Sequence, residues 1–360
     1  VVLGITPFNF PVMVPLWMFP LAIAAGNSFI LKPSEKDPLS TMFLVELFNE
    51  TKAPKGLLNL VNGEKELVNA LIKDKRIKAV SFVGSTPVAK SIYENSALNG
   101  KRCQALGGAK NHALILSDAN IEYTTDQIVS AAFGSSGQRC MALSVAVVTS
   151  DIKEKFISKL KNKTKTLNFG LDELNANSFG PLISKEHLKK VEGYIELSKK
   201  EGAKLLVDGR EGIKGKNSKN GYFIGPSIID NVTTDMESYK NEIFGPVLQI
   251  IEVENMLEGI KIINENTYGN GCCIFTDSGE SARSFSENAG IGMVGINVPL
   301  PVPSSFHSFG GWKDSLFGDL NIYGPDGLRF YTQRKTITQR WPNSGKSNGI
   351  DLSMPNNLKQ

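Results

Sequence analysis

The amino-acid sequence predicts an α/β protein whose first domain is a Rossmann-type, doubly wound parallel sheet. Two observations support this class. Short β-rich runs alternate with amphipathic helical stretches over the first hundred residues, and the alternation returns less regularly in the second half. Strands that alternate with helices are typical of parallel βαβ units. We therefore expect a parallel-sheet domain followed by a second α/β domain.

The hydrophobic pattern predicts the individual elements of both halves. In the first half, strands are predicted at 28–31, 57–61 and 79–83, and helices at 39–49, 64–73 and 88–96. In the second half, strands are predicted at 113–116, 146–148, 205–207, 272–275, 294–297 and 330–338, and helices at 121–132, 185–200 and 257–266. A surface loop is predicted at 209–220, and a loosely ordered polar tail is predicted beyond Trp341.

Composition and charge argue against several classes of partner. The chain has 360 residues, 41% hydrophobic and 21% charged, with a formal net charge of +4. Its densest basic stretch, 153–165, has the spacing of a solvated helix face, which argues against a nucleic-acid surface. The richest apolar run, 12–23, is interrupted by Pro15 and Pro20 and is too short to cross a membrane. We expect neither nucleic acid nor membrane as a partner.

The four cysteines are too few for a disulfide scaffold and suit a reducing compartment. No residues have metal-ligand spacing, so we expect no metal. The sequence begins at Val1, already within a strand-like run, and looks cut out of a longer chain.

Cys140 is the first candidate for chemistry. Small residues at 134–137 precede it and would let a substrate or cofactor approach the backbone closely, and the adjacent Arg139 would favour a thiolate. A buried, inert cysteine explains the same local sequence equally well.

Asn9 is the second candidate, because Phe8 and Phe10 flank it and Pro7 and Pro11 stiffen the chain on either side. A rigidly presented amide can donate a hydrogen bond to a developing oxyanion. Taken alone, a turn asparagine that caps a helix explains the pattern better.

Three further segments have binding chemistry that is weak when each is taken alone. Glu35 follows a predicted strand, where a carboxylate can accept hydrogen bonds from a ribose, although Ser34 and Asp37 also fit a capping box. Ser85 stands where a strand runs through Gly-Ser into a helix, a phosphate-binding arrangement without the GxGxxG spacing. Glu242 precedes an aromatic residue and a Gly-Pro turn.

Taken together, the order of these segments resembles the signature regions of the aldehyde dehydrogenase superfamily. The resemblance runs from Val1 to about Trp341, nearly the whole chain, and implies that family's fold with a C-terminal oligomerisation strand. The matching segments are 6–12, 31–35, 82–86, 107–110, 137–140 and 242–247.

The resemblance implies roles for the candidate residues. Cys140 would attack an aldehyde, and Asn9 with the backbone N–H of Cys140 would form the oxyanion hole. An unphosphorylated ribose beside Glu35 favours NAD over a cofactor with a 2′-phosphate. The implied cofactor-binding residues are Thr6, Phe8, Lys32, Glu35, Lys36, Ser85 and Glu242.

Leu106 is the main departure from the family pattern. Most members have a glutamate there as the base that activates water, and leucine cannot accept a proton. The runs 104–112, 140–142, 318–321 and 330–333 are similar to the methylmalonate-semialdehyde dehydrogenase branch, whose members lack this glutamate and use coenzyme A as acyl acceptor. Ala89 also replaces a glycine common in the family.

The resemblance to this branch implies NAD-dependent oxidation of malonate or methylmalonate semialdehyde, with loss of CO₂ and release of acetyl- or propionyl-CoA. Arg139 is then a candidate for holding the substrate carboxylate, with a structural or thiolate-stabilising role equally open. The alternatives are a hydrolytic dehydrogenase of another small aldehyde and an inactive fragment. His112 is expected to be a packed, hydrogen-bonded histidine.

The resemblance also sets expectations for domains and assembly. We predict part of an NAD-binding domain at 1–106, a catalytic domain at 107–322, an oligomerisation segment at 323–341 and a polar tail at 342–360. We expect a homodimer or homotetramer, in the cytoplasm if the source is bacterial and in the mitochondrial matrix if it is eukaryotic.

Overall fold

The computed structural model describes residues 1–169, 178–211 and 221–339, together with Trp341, Ile350 and Leu352. Two largely parallel sheets with helices between their strands form the framework, so the predicted α/β class is confirmed. Almost all of the predicted tail and residues 212–220 of the predicted loop lie outside the described residues.

The first sheet is built mainly from the first hundred residues. Its parallel strands are β1 (Val2–Ile5), β2 (Phe29–Lys32), β3 (Leu58–Leu60), β4 (Ala79–Val83) and β5 (Arg102–Leu106), in the order β5-β4-β1-β2-β3. The connecting helices are α1 (Met13–Ala24), α2 (Leu39–Asn49), α3 (Lys65–Lys73) and α4 (Thr86–Leu98). The direction of winding reverses between β1 and β4, and in open parallel sheets ligands bind at the carboxyl ends of the strands at such a point.

Helix α1 is a structured element that the hydrophobic pattern did not predict. Pro15 stands in its first turn, where a missing N–H costs nothing, whereas Pro20 lies inside the helix. Val14 and Met18 bury one face against the first sheet, and this apolar contact holds the helix despite the interior proline.

The second sheet contains the rest of the predicted strands. Its strands are β6 (Asn111–Ile115), β7 (Leu143–Thr149), β10 (Lys204–Val207), β11 (Ser227–Asp230), β12 (Val247–Val253), β14 (Gly271–Phe275) and β15 (Met293–Ile296). Their order is β10-β11-β12-β7-β6-β14-β15, with only the β10–β11 pair antiparallel. The accompanying helices are α5 (Ile121–Phe133), α6 (Lys153–Thr164), α7 (Lys185–Lys200), α8 (Glu237–Lys240), α9 (Met256–Glu265) and α10 (Gly279–Asn288). Two short pairs are β8 (Asn168–Phe169) with β9 (Ser178–Phe179), and β13 (Tyr268–Gly269) with β16 (Trp312–Lys313).

Both faces of the second sheet are buried, which explains its nearly continuous apolar strands. Along β7, Val145 and Val147 join one apolar cluster, while Ala146 and Val148 join the cluster on the opposite face. The strands therefore form a rigid support for residues at their ends.

The C-terminal part of the chain returns to the first sheet. Strand β17 (Leu316–Phe317) pairs antiparallel with β5, and helix α11 (Pro325–Tyr331) packs against α1. The predicted strand at 330–338 is wrong at its start. Gly324, with φ 72°, and Pro325 begin a helix that buries Phe330 and Tyr331, and residues 332–339 pair with no strand of the described chain. The proposed domain ranges stay predictions.

Among the residues that the structure describes, no helix is both long and apolar enough to cross a membrane.

Candidate active site

The candidate residues meet where the carboxyl edge of the first sheet faces the amino edge of the second. Strand β5 leads through Gly107 and Gly108 directly into β6, so the two edges adjoin. Between them lies a cavity of about 220 Å³. Residues that line it include Phe8, Asn9, Lys36, Ser85, Gly107, Gly108, Cys140, His187, Lys190, Glu242 and Phe244.

Cys140 follows a loop with an unusual backbone. Ser135, Ser136 and Gly137 all have positive φ values, 53°, 56° and 68°. A side chain on Gly137 would collide with the carbonyl oxygen of Gly245, so only glycine fits there. Left-handed conformations in non-glycine residues cost energy and persist where surrounding contacts hold them. The hydroxyl of Ser136, which donates to the carbonyl of Gly180, is one such contact.

Asn9 contacts the same loop from the other sheet. Its Nδ2 donates to the carbonyl oxygen of Gln138 at 2.9 Å, which leaves a second N–H on the amide. The side chain of Gln138 is itself fixed, since its Oε1 accepts from the N–H of Ile183 at 3.0 Å and its Nε2 donates to Pro181 at 3.3 Å. Asn9 and Cys140 thus line one cavity, as the oxyanion-hole interpretation requires.

Cys140 is a partly buried residue that lines the cavity. Burial, and then the negative charge of Glu242, raise its pKa to about 11, while the backbone N–H groups of Cys140 and Met141 lower it. Burial and the charge of Glu242 therefore favour the neutral thiol over the thiolate.

The side chain of Arg139 contacts the loop that precedes Cys140. Its Nε donates to the hydroxyl of Ser135 at 3.1 Å, and its guanidinium lies so close to Gly134 that a side chain there would meet it at 2.6 Å. Burial lowers the pKa of Arg139. Among the described residues no carboxylate pairs with it. It lines a neighbouring cavity with Ser135, and also a small pocket beside Cys140 and Glu242.

Glu242 is held at the amino edge of the second sheet. Its Oε1 accepts the N–H of Ala109 at 2.9 Å, and burial raises the pKa of its carboxyl against the lowering effect of Lys190 and Lys110. No sequence pattern indicated a role for Lys110, whose Nζ donates to the carbonyls of Ser238 and Asn241 at 3.0 and 2.9 Å. Burial lowers the pKa of Lys110 to about 7, although the charge of Glu242 raises it.

Aromatic rings form one wall of the cavity. Phe244 has φ 60° and packs edge-on against Phe8 and His187, with ring centroids 6.2 Å apart in both pairs. The Nε2 of His187 lies 2.7 Å from the carbonyl oxygen of Phe244. His187 lies on α7, and nothing in the local sequence of that helix predicts a contact with a residue 57 positions away.

The cofactor candidates at the carboxyl edge fall into two groups. Phe8, Lys36 and Ser85 line the cavity, and Ser85 is the residue before α4. Lys32 and Glu35 lie beyond it at the end of β2, where the Nζ of Lys32 is 3.1 Å from the Glu35 carboxylate and 2.9 Å from the Gly63 carbonyl. Burial raises the pKa of Glu35, but its backbone N–H and Lys32 outweigh this and leave the value lowered.

Two residues lie behind the cavity wall. Thr6 is buried, and its hydroxyl has no hydrogen-bond partner among the described residues. Leu106 is 4% exposed at the end of β5, where it packs in the apolar core of the first sheet. At this position the chain therefore offers no proton acceptor.

His112 fits the packed role expected of it. It is buried, and its Nε2 lies 2.9 Å from the hydroxyl of Tyr239. Burial, and then the nearby charge of Lys110, lower its pKa to about 3, so the ring is neutral.

Comparisons with known proteins identify the family of the chain. The model of the aldehyde dehydrogenase family matches residues 1–337. The malonate-semialdehyde dehydrogenase of Pseudomonas aeruginosa is 53% identical over 356 residues, which are 99% of this chain and 71% of that protein.

Two solved structures are also similar. A methylmalonate-semialdehyde dehydrogenase from Oceanimonas doudoroffii superposes with a TM-score of 0.93 at 56% identity, over 96% of this chain and 70% of that one. A putative methylmalonate-semialdehyde dehydrogenase from Sinorhizobium meliloti, in complex with NAD, superposes with a TM-score of 0.92 at 48% identity. The match again covers 96% of this chain and 70% of that one. The chain belongs to the aldehyde dehydrogenase family.

Proposed function

We propose that the protein oxidises malonate or methylmalonate semialdehyde with NAD and transfers the acyl group to coenzyme A. One observation carries the proposal. Cys140 shares a cavity with Asn9 and Glu242, while Leu106 occupies the position of the family's water-activating base. The names of the similar proteins supply the substrate class.

The residues of the cavity fit a nicotinamide dinucleotide. Glu242 in the cavity offers a carboxylate to one ribose, and Glu35, beyond the cavity at the end of β2, offers one to the other. The backbone N–H groups at the start of α4 beside Ser85 suit a pyrophosphate. Lys36 adds a positive charge on the same wall. When bound, NAD would accept the hydride from the substrate.

The chain's own groups account for the first half of the reaction. The Cys140 thiolate adds to the aldehyde carbon, and the carbonyl oxygen becomes an alkoxide that the free N–H of Asn9 and the backbone N–H of Cys140 stabilise. Loss of hydride from this adduct leaves a thioester on Cys140. Burial and the charge of Glu242 keep the pKa of Cys140 high, so removal of the thiol proton costs free energy. Binding of cofactor and substrate in the cavity must lower this cost.

The second half of the reaction needs an acceptor that carries its own nucleophile. The thiolate of coenzyme A attacks the thioester carbonyl, and the Cys140 thiolate leaves. A thiol ionises much more readily than water, so the transfer tolerates Leu106. The substrate carboxylate is β to the thioester carbonyl, so its C–C bond breaks and CO₂ leaves. The electron pair stays on the thioester as an enolate, which takes a proton from water at the α-carbon.

Arg139 is our candidate for holding that carboxylate. Its guanidinium is half-buried, pairs with no carboxylate among the described residues, and belongs to the residue next to the nucleophile. Arginine suits bidentate binding of a carboxylate.

Steady-state NADH formation from both semialdehydes, with and without coenzyme A, tests the proposal. We expect turnover that depends on coenzyme A and disappears in Cys140→Ala. A full rate without coenzyme A would point to a hydrolytic dehydrogenase instead. A stable chain that binds no NAD would point to an inactive fragment.

The proposal includes a homodimer or homotetramer, cytoplasmic in a bacterial source. Exposed apolar residues on one face of α2 support an assembly, since Leu39 and Phe43 are 72% and 61% exposed. Sedimentation of the purified protein measures its mass in solution, and a monomer would contradict this part.

A further inference from the structure

Two side-chain amides converge on the backbone of the proposed nucleophile. The Nδ2 of Asn111 donates to the carbonyl oxygen of Cys140 at 2.9 Å, and the Nδ2 of Asn270 donates to the same oxygen at 3.0 Å. A carbonyl oxygen has two lone pairs, so these two donors satisfy it completely.

Both amides are anchored in the second sheet. Asn111 is the first residue of β6, and its side chain also donates to the carbonyl of Ala142 and accepts from the N–H of Gly271, both at 3.0 Å. Asn270 directly precedes β14, and its Nδ2 also contacts the sulfur of Met141 at 3.0 Å. The two residues are only 3% and 7% exposed, so water cannot easily replace either donor.

The loop that bears Cys140 needs such anchors. The segment before it passes through Ser135 and Ser136 in the left-handed region, a conformation that relaxes unless neighbouring contacts hold it. Asn9 holds the carbonyl of Gln138, two residues before Cys140. The two amides hold the carbonyl of Cys140 itself, so the backbone is fixed on both sides of the thiol.

We propose that Asn111 and Asn270 are positioning residues that hold the Cys140 backbone in the conformation that reacts with the aldehyde. The role rests on the proposed function, because it acts through the Cys140 nucleophile. Neither amide need touch substrate. Together they orient the thiol toward the cavity and keep the Cys140 N–H directed at the developing oxyanion. A small displacement of a reacting atom can cost as much as about 100-fold in rate.

Asn270→Leu tests this role because leucine has a similar shape and no donor. The matched control is Asn27→Leu, since Asn27 also donates to two carbonyls, those of Ala22 and Tyr331, at 3.1 and 3.0 Å, but lies outside the cavity. Three quantities are measured for each variant: the rate of the first NADH turnover, the rate at which iodoacetamide alkylates Cys140 across pH 7 to 10, and the NAD dissociation constant.

In Asn270→Leu we expect the first turnover to slow by about tenfold or more, with a changed alkylation profile and an unchanged NAD dissociation constant. Asn27→Leu should leave all three unchanged. If Asn270→Leu does not fold, Asn270→Ser, whose shorter hydroxyl fits the same space, is held to the same criterion.

Equal first-turnover and alkylation rates in the wild type and the folded Asn270 variant would overturn the positioning role. Such a result leaves the proposed function intact, whereas NADH formation by Cys140→Ala would overturn the function itself. The two failures are therefore distinguishable.

Discussion

The two sheet edges that meet at the cavity position their residues in different ways. At the carboxyl edge of the first sheet, Asn9 and Ser85 follow regular strands and precede helices. At the amino edge of the second sheet, Cys140 and Glu242 precede β7 and β12 on loops that contain Ser135, Ser136 and Phe244 with positive φ. Strand geometry places the backbone of the first group, whereas hydrogen bonds from distant residues hold the loops that bear the second.

This difference suggests a division of labour between the edges. A strand that ends in a helix offers free backbone N–H groups, which suit the phosphates and riboses of a dinucleotide. A strained loop held by side chains instead fixes one reactive atom closely, which suits a nucleophile. Two hydrogen bonds fix the position of one edge relative to the other. Asn9 donates to the Gln138 carbonyl, and the Ala109 N–H donates to Glu242.

Loss of the sulfur at the amino edge should have the largest effect on activity. We expect Cys140→Ala to lower NADH formation by about 10⁴-fold or more, since none of the other described residues that line the cavity is a cysteine. Cys103→Ala, a second cysteine on β5 of the first sheet, is the matched control and should keep normal turnover. Comparable losses in the two variants would contradict the assignment.

Loss of the amide at the carboxyl edge should come next. We expect Asn9→Ala to lower the rate of the first NADH turnover by about 10²- to 10³-fold, the range observed when one oxyanion-hole donor is removed. Part of the loss would come from the released Gln138 carbonyl. Asn59→Ala, on β3 of the same sheet, should leave the rate unchanged. A tenfold weaker NAD affinity with a normal rate would make Asn9 a binding residue.

The carboxyl edge could be predicted from the sequence because its signals are local. The predicted boundaries of β4 and α2 agree with those in the structure, and Ser85 and Glu35 stand just beyond strands where the alternation of elements put them. In a parallel sheet the residues after each strand share one edge, so local pattern is enough to bring them together.

The amino edge could be predicted only in part. Cys140 and Glu242 were found through motif resemblance, but their supports were not, because Asn270 lies 130 residues from Cys140 and the sequence between them has no signal for the contact. The direction of the Arg139 side chain is likewise set by the left-handed turn at Ser135, which only the folded loop reveals.

The pH dependence of Cys140 should show the high pKa of its thiol. Burial and the charge of Glu242 raise that pKa to about 11, so the thiolate fraction grows about tenfold for each pH unit below it. We expect the rate of iodoacetamide alkylation at Cys140, followed by peptide mass spectrometry, to rise by about tenfold between pH 8 and pH 9. A plateau below pH 8 would mean that the thiolate is already formed in the free protein.

A matched pair of carboxylate-to-amide substitutions, one at each sheet edge, distinguishes the roles of the two edges. Of all the predicted changes in rate or affinity, these are the smallest. Glu242→Gln removes a negative charge that raises the Cys140 pKa, so we expect alkylation of Cys140 at pH 8 to become about two- to fivefold faster. Glu35→Gln, at the end of β2, should leave that rate unchanged and raise the KM for NAD by a similar factor, because one acceptor for a ribose is weakened. If both variants changed the alkylation rate of Cys140 equally, the charge of Glu242 would not act specifically on the pKa of the thiol. If neither weakened NAD binding, the carboxyl edge would not be the nucleotide edge, and the division of labour between the sheets would fail.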